Sequence, residues 1–275
     1  MESGLYVVAT PIGNLGDMVP RAVEVLQSAD LIAAEDTRHS APLLKHFSIE
    51  TPMIAYHDHS DEAALARIGR CIEEGGAVAL ISDAGTPLIS DPGYRLLRHA
   101  HEQQWLVVPI PGASAVIAAL SVAGLATDRF RFEGFLPARA SARRARFEEL
   151  AMEPVTLVFY EAPHRLLESL SDMREVFGTA RLAVLARELT KTFETVLRAP
   201  LAELVQQVEA DSNQCRGECV VLVEGAAAAD AEISPEIDRL LVLLAAAMPP
   251  RKAAGVVAEA FGMRKNLLYE HLISR

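Results

Sequence analysis

Five short apolar runs, at 4–9, 30–34, 52–56, 77–82 and 106–110, alternate with stretches in which apolar residues recur at helical spacing. Continuous apolar runs of this length read as strands buried on both faces, a pattern found in parallel sheets covered by helices. A strand–helix rhythm sustained along the first half of a chain therefore restricts it to an α/β fold with a mostly parallel sheet. The stretch DEAALARIGRCIEEG fits one of the intervening helices, with Gly75 as its C-terminal cap.

Two of the strand-to-helix connections are rich in Gly and Pro. The run AVALI leads into SDAGTPLISDPG (82–93), and LYVVA leads into TPIGNLGD (10–17). Loops at the carboxyl ends of strands are where open α/β sheets place their ligands. Gly85 permits close approach of the backbone to a ligand, Pro87 and Pro92 stiffen the loop, and Thr86 and Ser90 offer hydroxyls. Gly13 and Gly16 lack the spacing of a dinucleotide fingerprint, and no GxxxxGK[ST] phosphate loop occurs. The expectation is a small-ligand pocket built for neither NAD nor ATP.

Pro111 and Gly112 open ASAVIAALSVAG, a helix apolar on nearly every side and so expected to be buried. Beyond it, RFRFEGF, VTLVFY, RLAVLARELT, ETVLRAP and CVVLVEG read as strands, with a helix between Pro163 and Gly178. A lobe boundary falls near 111–117. The Ala-rich segment around 226–233 reads as a linker. Past it, Ser234 can cap a helix beginning at Pro235. Two further amphipathic helices around Phe261 and Gly262 have a helix-turn-helix outline. The resulting division is 1–114, 115–225, 226–233 and 234–275.

Seven motifs occur in order: ATPIGNLGD, AEDTR (34–38), ISDAGTPLISDPG, PGASA (111–115), FEGFLP (132–137), FYEAPHR (159–165) and RELTKTFE (187–194). Together, over essentially the whole chain, they resemble the tetrapyrrole methylase superfamily. Within it they resemble the branch that methylates a cytidine 2′-hydroxyl of small-subunit (16S) ribosomal RNA. One departure is Ala113, where the family more often carries a bulkier residue or proline. The resemblance implies a two-lobe α/β fold with a cleft between the lobes and a small C-terminal helical module. It also implies S-adenosyl-L-methionine as methyl donor and a homodimer. The cofactor-binding residues it points to are Pro11, Asp83, Gly85, Thr86, Ile89, Ser114, Ala115, Tyr160 and Leu189.

A ribose hydroxyl is a weak nucleophile at neutral pH, so a base should assist it. The AEDTR motif brings Glu35, Asp36 and Arg38 out together at a strand end; Asp36 or Glu35 is the candidate base, and Arg38 could steer phosphate. Asp36 and Arg38 could equally form a structural ion pair. Glu161, Glu188, His57 and His59 are further acceptor-side candidates.

The net charge of −11 argues against a nucleic-acid partner until its distribution is considered. From 129 to 146, six arginines face one glutamate, and residues 249–275 carry Arg251, Lys252, Arg264, Lys265 and Arg275. Local patches of this kind can hold phosphate. The residues expected to contact RNA, free or in the 30S subunit, are Arg38, Arg139, Arg143, Arg144, Arg187, Lys191, Arg251 and Lys252. Phe132, Phe135 and Tyr56 are the aromatics available for stacking.

Three cysteines, Cys71, Cys215 and Cys219, are too few and too odd in number for a disulfide framework, and none sits at metal-ligand spacing. No apolar run reaches the roughly 18 residues of a membrane span, and no leader pattern precedes the first strand, so a cytoplasmic protein is expected. Two alternatives stay open: the same fold acting on a tetrapyrrole or other small molecule, and a non-catalytic RNA-binding or assembly protein.

Overall fold

The computed structural model describes residues 1–57, 62–227, 233–263 and 265–274. His59, Arg264, Arg275 and positions 228–232 of the expected linker lie outside the described residues.

The first lobe is one parallel sheet of β1 (Gly4–Val8), β2 (Leu31–Ala34), β3 (Met53–Ala55), β4 (Ala77–Ile81) and β5 (Val107–Ile110), in the order β3-β2-β4-β1-β5. Successive side chains point to opposite faces, and both faces are covered. Ala77, Ala79 and Ile81 of β4 pack with Leu26 of α1 (Pro20–Ser28) and Leu44 of α2 (Thr37–His46). Val78 and Leu80 pack with Ile68 of α3 (Glu62–Glu73) and Leu96 of α4 (Tyr94–Glu102) on the other face. This double burial is why the central strands β2 and β4 are apolar at every position. The chain leaves β1 toward β2 and leaves β4 toward β5, in opposite directions across the sheet. Loops after such neighbouring strands diverge and open a crevice at the carboxyl edge.

The second lobe is a mixed sheet of β6 (Phe130–Phe135), β7 (Thr156–Glu161), β8 (Leu182–Arg187), β9 (Thr195–Pro200) and β10 (Cys219–Val223), in the order β6-β7-β10-β8-β9. Only β6 and β7 pair in parallel; the other three pairings are antiparallel. One face packs on α6 (Ala140–Leu150), α7 (Leu166–Phe177) and α8 (Leu201–Ala210) through Phe147, Leu170 and Leu204. The small-residue helix, α5 (Ala115–Ala123), lies on the opposite face, where Val116, Ala119, Leu120 and Ala123 meet Val158, Val184 and Leu222. Ile12, from the loop after β1, belongs to this same cluster, so the first lobe plugs into the second.

At the C-terminus, α9 (Pro235–Ala247), α10 (Pro250–Phe261) and α11 (Lys265–Ile273) enclose a small core of Leu241, Ala254, Val257, Met263 and Leu268. Ser234 caps α9 by accepting a hydrogen bond from the Ile237 amide at 3.3 Å, with Pro235 in the first helical position. Gly262 ends α10 in the left-handed conformation, with φ of 65°. Among the described residues no helix is long and apolar enough to cross a membrane.

Candidate functional site

Parallel strands put the loops after β2, β4, β1 and β5 side by side on one edge, and hydrogen bonds tie those loops together. Thr10 and Gly85 exchange two backbone bonds, of 2.9 and 3.1 Å. The Thr86 hydroxyl donates to the Ala113 carbonyl at 2.9 Å. The Asp36 amide donates to Asp83 Oδ1 at 3.2 Å, while the Asp83 amide donates to Glu35 Oε2 at 3.3 Å. Glycine is required at Gly85, where φ is 82° and a Cβ would stand 3.2 Å from Ile12 Cγ2. Gly13 lets the Lys191 stem of the second lobe lie directly across its Cα, where a Cβ would collide with it.

These loops face the second lobe across a cavity of about 330 Å³. Six of the nine residues expected to bind the cofactor line it: Gly85, Thr86, Ile89, Ser114, Ala115 and Tyr160. Ser114 precedes α5 without capping it, so the first amides of that helix receive no hydrogen bond from its side chain. The Tyr160 hydroxyl accepts a hydrogen bond from one of them, that of Val116. Burial, and secondarily the Asp91 carboxylate, push the Tyr160 phenol up to about 12, so it stays neutral. Phe132 and Phe135 meet the Tyr160 ring edge-on at 4.9 and 5.4 Å. An irregularity in β6 between Phe132 and Phe135, with Gly134 at φ 69°, turns Phe135 to the cavity mouth, where it is exposed.

Three of the nine expected ligand residues are set back from the cavity. Pro11 is buried beside Ile12, which does line it. Asp83 holds the Glu35–Asp36 turn through the two bonds above. Leu189 is a core residue packed under the wall with Val220. Glu161, an acceptor-side candidate from the sequence, lines the cavity, as do Asp91, Cys219 and Val220, to which sequence reasoning gave no role in the site. Cys219, Val220 and Glu161 face it only because β10 pairs with β7 antiparallel in the register Cys219–Glu161. Burial, and after it the neighbouring Glu35 and Asp83 charges, lift the Asp91 carboxyl to about 6.

The expected acceptor-side residues separate on inspection. Asp36 caps α2, accepting from the Arg38 amide at 2.8 Å, and binds the Arg38 guanidinium through both oxygens at 3.1 and 2.7 Å. Those bonds hold its carboxyl well below the ordinary aspartate range. Glu35 is half-buried, and burial raises its carboxyl above the usual value. Neither lines the cavity. Glu188 and Thr190 adopt left-handed backbone conformations, φ 51° and 68°, in the turn that presents Lys191. The Lys191 ammonium lies 3.0 Å from Glu188 and 3.1 Å from Glu218.

Three sequence expectations about RNA contact are corrected. Arg143 is 1% exposed and faces inward, paired with Asp172 at 2.6 Å, because it shares the buried stripe of α6 with Phe147 and Leu150. Arg187 is buried at the end of β8, donating to Gln214, Thr195 and the Phe193 and Arg216 carbonyls. Tyr56 is buried in the first-lobe core and cannot stack on a base. The remaining arginines of 129–146 are less available than their number implied. Arg131 and Arg146 pair with Glu133, Glu149 and Glu153, and Arg144 with Asp172 and Glu175. Arg139, Arg38, Arg251 and Lys252 are exposed.

Residues 4–205 match the family model described as Tetrapyrrole (Corrin/Porphyrin) Methylases, and residues 231–275 match an RsmI C-terminal HTH domain. A Pseudomonas aeruginosa protein named ribosomal RNA small subunit methyltransferase I is 59% identical over 278 residues, covering 100% of this chain and 99% of that one. An Escherichia coli O157:H7 protein of the same name is 50% identical over 274 residues, covering 100% and 96%. Among solved structures, the methyltransferase CobJ superposes with a TM-score of 0.61 at 19% identity, covering 82% of this chain and 95% of that one. The cobalt precorrin-4 methyltransferase CbiF does so with a TM-score of 0.60 at 15% identity, covering 80% and 94%. With its two sheets, its tied loops and a family match spanning both lobes, the chain belongs to the tetrapyrrole methylase family.

Proposed function

We propose that this protein is an S-adenosyl-L-methionine-dependent methyltransferase that methylates the 2′-hydroxyl of a cytidine in small-subunit (16S) ribosomal RNA. What carries the reading is that its likeness to proteins named for small-subunit ribosomal RNA methylation runs end to end, C-terminal module included. The cavity suits the donor. Gly85 lines it with bare backbone, and the uncapped start of α5 offers amides to a polar edge. The donor, when bound, supplies a methyl group on a positively charged sulfur.

Gly85, Thr86, Ile89, Ser114, Ala115 and Tyr160 would hold it directly. Pro11, Asp83 and Leu189 would act from behind, by keeping the loops and the wall in place. The chain's task is then orientation, since in-line transfer from a good leaving group needs alignment more than activation of the donor. Arg38, Arg139, Arg144, Lys191, Arg251 and Lys252 are the cations assigned to RNA phosphates; Phe135 at the mouth is the surface for the displaced base.

The domain division at 114/115, with a linker at 226–233 and a helical module at 234–275, is supported by the way α5 packs on the second sheet through Val116, Ala119, Leu120 and Ala123. The proposed homodimer is supported by Ile117 and Val122, exposed at 57% and 50% on the apolar α5. A ribosomal RNA substrate places the enzyme in the cytoplasm.

The test is methyl transfer from radiolabelled donor offered in parallel to 30S subunits, naked 16S RNA and a tetrapyrrole precursor. Label in a cytidine ribose is the expected outcome. Label only in the tetrapyrrole, or none in RNA despite donor binding, overturns the proposal.

A further inference from the structure

We propose that Asp91 is the catalytic residue that accepts the proton from the ribose 2′-hydroxyl, a role that rests on the methyltransferase reading above. The residue lies in the cavity wall, opposite Tyr160 and on the same surface as the donor-side Gly85, Thr86 and Ile89. The loop is bent to put it there. Leu88 and Ser90 both take left-handed backbone conformations, φ 73° and 67°, and Gly93 follows at φ 131°. Non-glycine residues hold such conformations only where the surroundings compel them.

The chemistry around Asp91 is that of a base kept free. Among the described residues it forms no ion pair with lysine, arginine or histidine. The charged groups that bear on it are Glu35 from the end of β2 and Asp83 from its own loop, both acids, and the neutral Tyr160 of β7 faces it across the cavity. Glu161 and Glu218 complete the acidic lining on the second-lobe side. Glu161 is committed to Arg165 and Ser169, and Glu218 to Lys191. Asp36 is likewise committed to Arg38, and Glu35 accepts the Asp83 amide away from the cavity. Among the described residues, Asp91 alone combines a place in the wall with a carboxylate outside any ion pair. A carboxyl lifted to about 6 is ionised at neutral pH and still basic enough to take a proton, which suits a general base.

In the step proposed, the 2′-oxygen lone pair forms the new O–CH3 bond as the carbon–sulfur bond breaks. The breaking pair leaves with the sulfur, which becomes a neutral thioether. The hydroxyl proton passes to an Asp91 carboxylate oxygen and from there to water.

The experiment compares wild type, Asp91→Asn and Asp91→Glu. It measures kcat against pH with 30S subunits and binding of S-adenosylhomocysteine by calorimetry. A third readout is the carbon-13 titration of the Asp91 carboxyl in the intact protein. The expected result is a wild-type kcat that falls with protonation below pH of about 6, with the carboxyl titrating in the same range. Asp91→Asn should lose about a hundredfold or more in kcat and the acidic limb with it, while product affinity changes less than about threefold. Asp91→Glu should restore part of the rate and shift the limb. Retention of the acidic limb in Asp91→Asn overturns the proposal, as does a loss of product affinity equal to the loss of rate. Absence of RNA methylation by the wild type at every pH would instead remove the methyltransferase reading, and this role with it.

Discussion

Replacing Asp172 with leucine strands a guanidinium in the interior of the second lobe. Arg143 is 1% exposed, and its Nε and Nη2 lie 2.7 and 2.6 Å from one Asp172 oxygen. The other Asp172 oxygen takes Arg144 Nε at 2.6 Å. Without Asp172, Arg143 keeps only Glu168, 3.8 Å away on a side chain that is 75% exposed. Its Nη1 already lacks a partner among the described residues. Breaking a buried pair from one side costs about 3–5 kcal/mol, because the remaining charge stays desolvated. Arg143→Met is milder, at about 2–3 kcal/mol, since Asp172 retains the half-exposed Arg144. For a chain of this size each kcal/mol moves Tm by about 2–4 °C, so Asp172→Leu should lower Tm by roughly 6–20 °C. The double variant Arg143→Met/Asp172→Leu fills the same volume with apolar groups and should recover most of that loss. Thermal unfolding of the three variants, run beside 16S RNA binding at two salt concentrations, decides the matter. An RNA-contact role for Arg143 predicts the reverse pattern: an unchanged Tm and a weaker, less salt-dependent RNA affinity. That result would refute the assignment of Arg143 to the interior.

Asp91→Asn should also change stability with pH. The folded carboxyl sits at about 6 against an ordinary 3.8, so folding is penalised as pH rises through that window and the penalty persists above it. For a partly exposed carboxylate screened by water this amounts to about 1–1.5 kcal/mol. The variant should therefore melt a few degrees higher than wild type at pH 8 and no higher at pH 4; equal Tm values at pH 8 would contradict it. Gly85→Ala places a methyl where φ is 82° and Ile12 is 3.2 Å away. It should cost about 1–3 kcal/mol and about tenfold in S-adenosylhomocysteine affinity by calorimetry, and an unaltered affinity would count against the cavity as donor site. Removing residues 234–275 deletes a module whose core is internal to α9, α10 and α11. The remaining protein should bind S-adenosylhomocysteine as before and bind 30S subunits more weakly, whereas equal 30S affinity would take RNA contact away from the module. Ser234→Ala should lower the melting of that module by about 1 kcal/mol through the lost cap, read by circular dichroism.

Much of this architecture is written in local pattern. The central first-lobe strands β2 and β4 were legible because burial on both faces demands an unbroken apolar run such as AVALI, and few other structures do. The glycines and prolines of the two loops announced a ligand edge, and Ser234 with Pro235 announced a helix start, because these residues act on their own backbone. One signal was present and passed over. Arg143, Phe147 and Leu150 fall at i, i+4 and i+7, which places the arginine in the buried stripe of α6 while its neighbour Arg144 stays outside. Arginine in a buried stripe asks for a carboxylate on the facing helix, and Asp172 supplies it.

Pattern along the chain thus determined the strand order in time, the positions of the loops and the residues able to bend them. Strand order in space was decided only by tertiary packing. The antiparallel seat of β10 beside β7 brought Cys219 and Val220 to the cavity, and the bend after Leu88 left Asp91 beside the acids Glu35 and Asp83, with no ion-pair partner among the described residues. A side chain's charge is local, but what faces it, and how much water remains there, is set by segments many tens of residues away. That is why Glu35, Asp36 and Asp91 look alike in the sequence and differ so sharply in the fold: one is held by a distant amide, one is neutralised by its own helix, and one stands in a cavity wall without an ion-pair partner among the described residues.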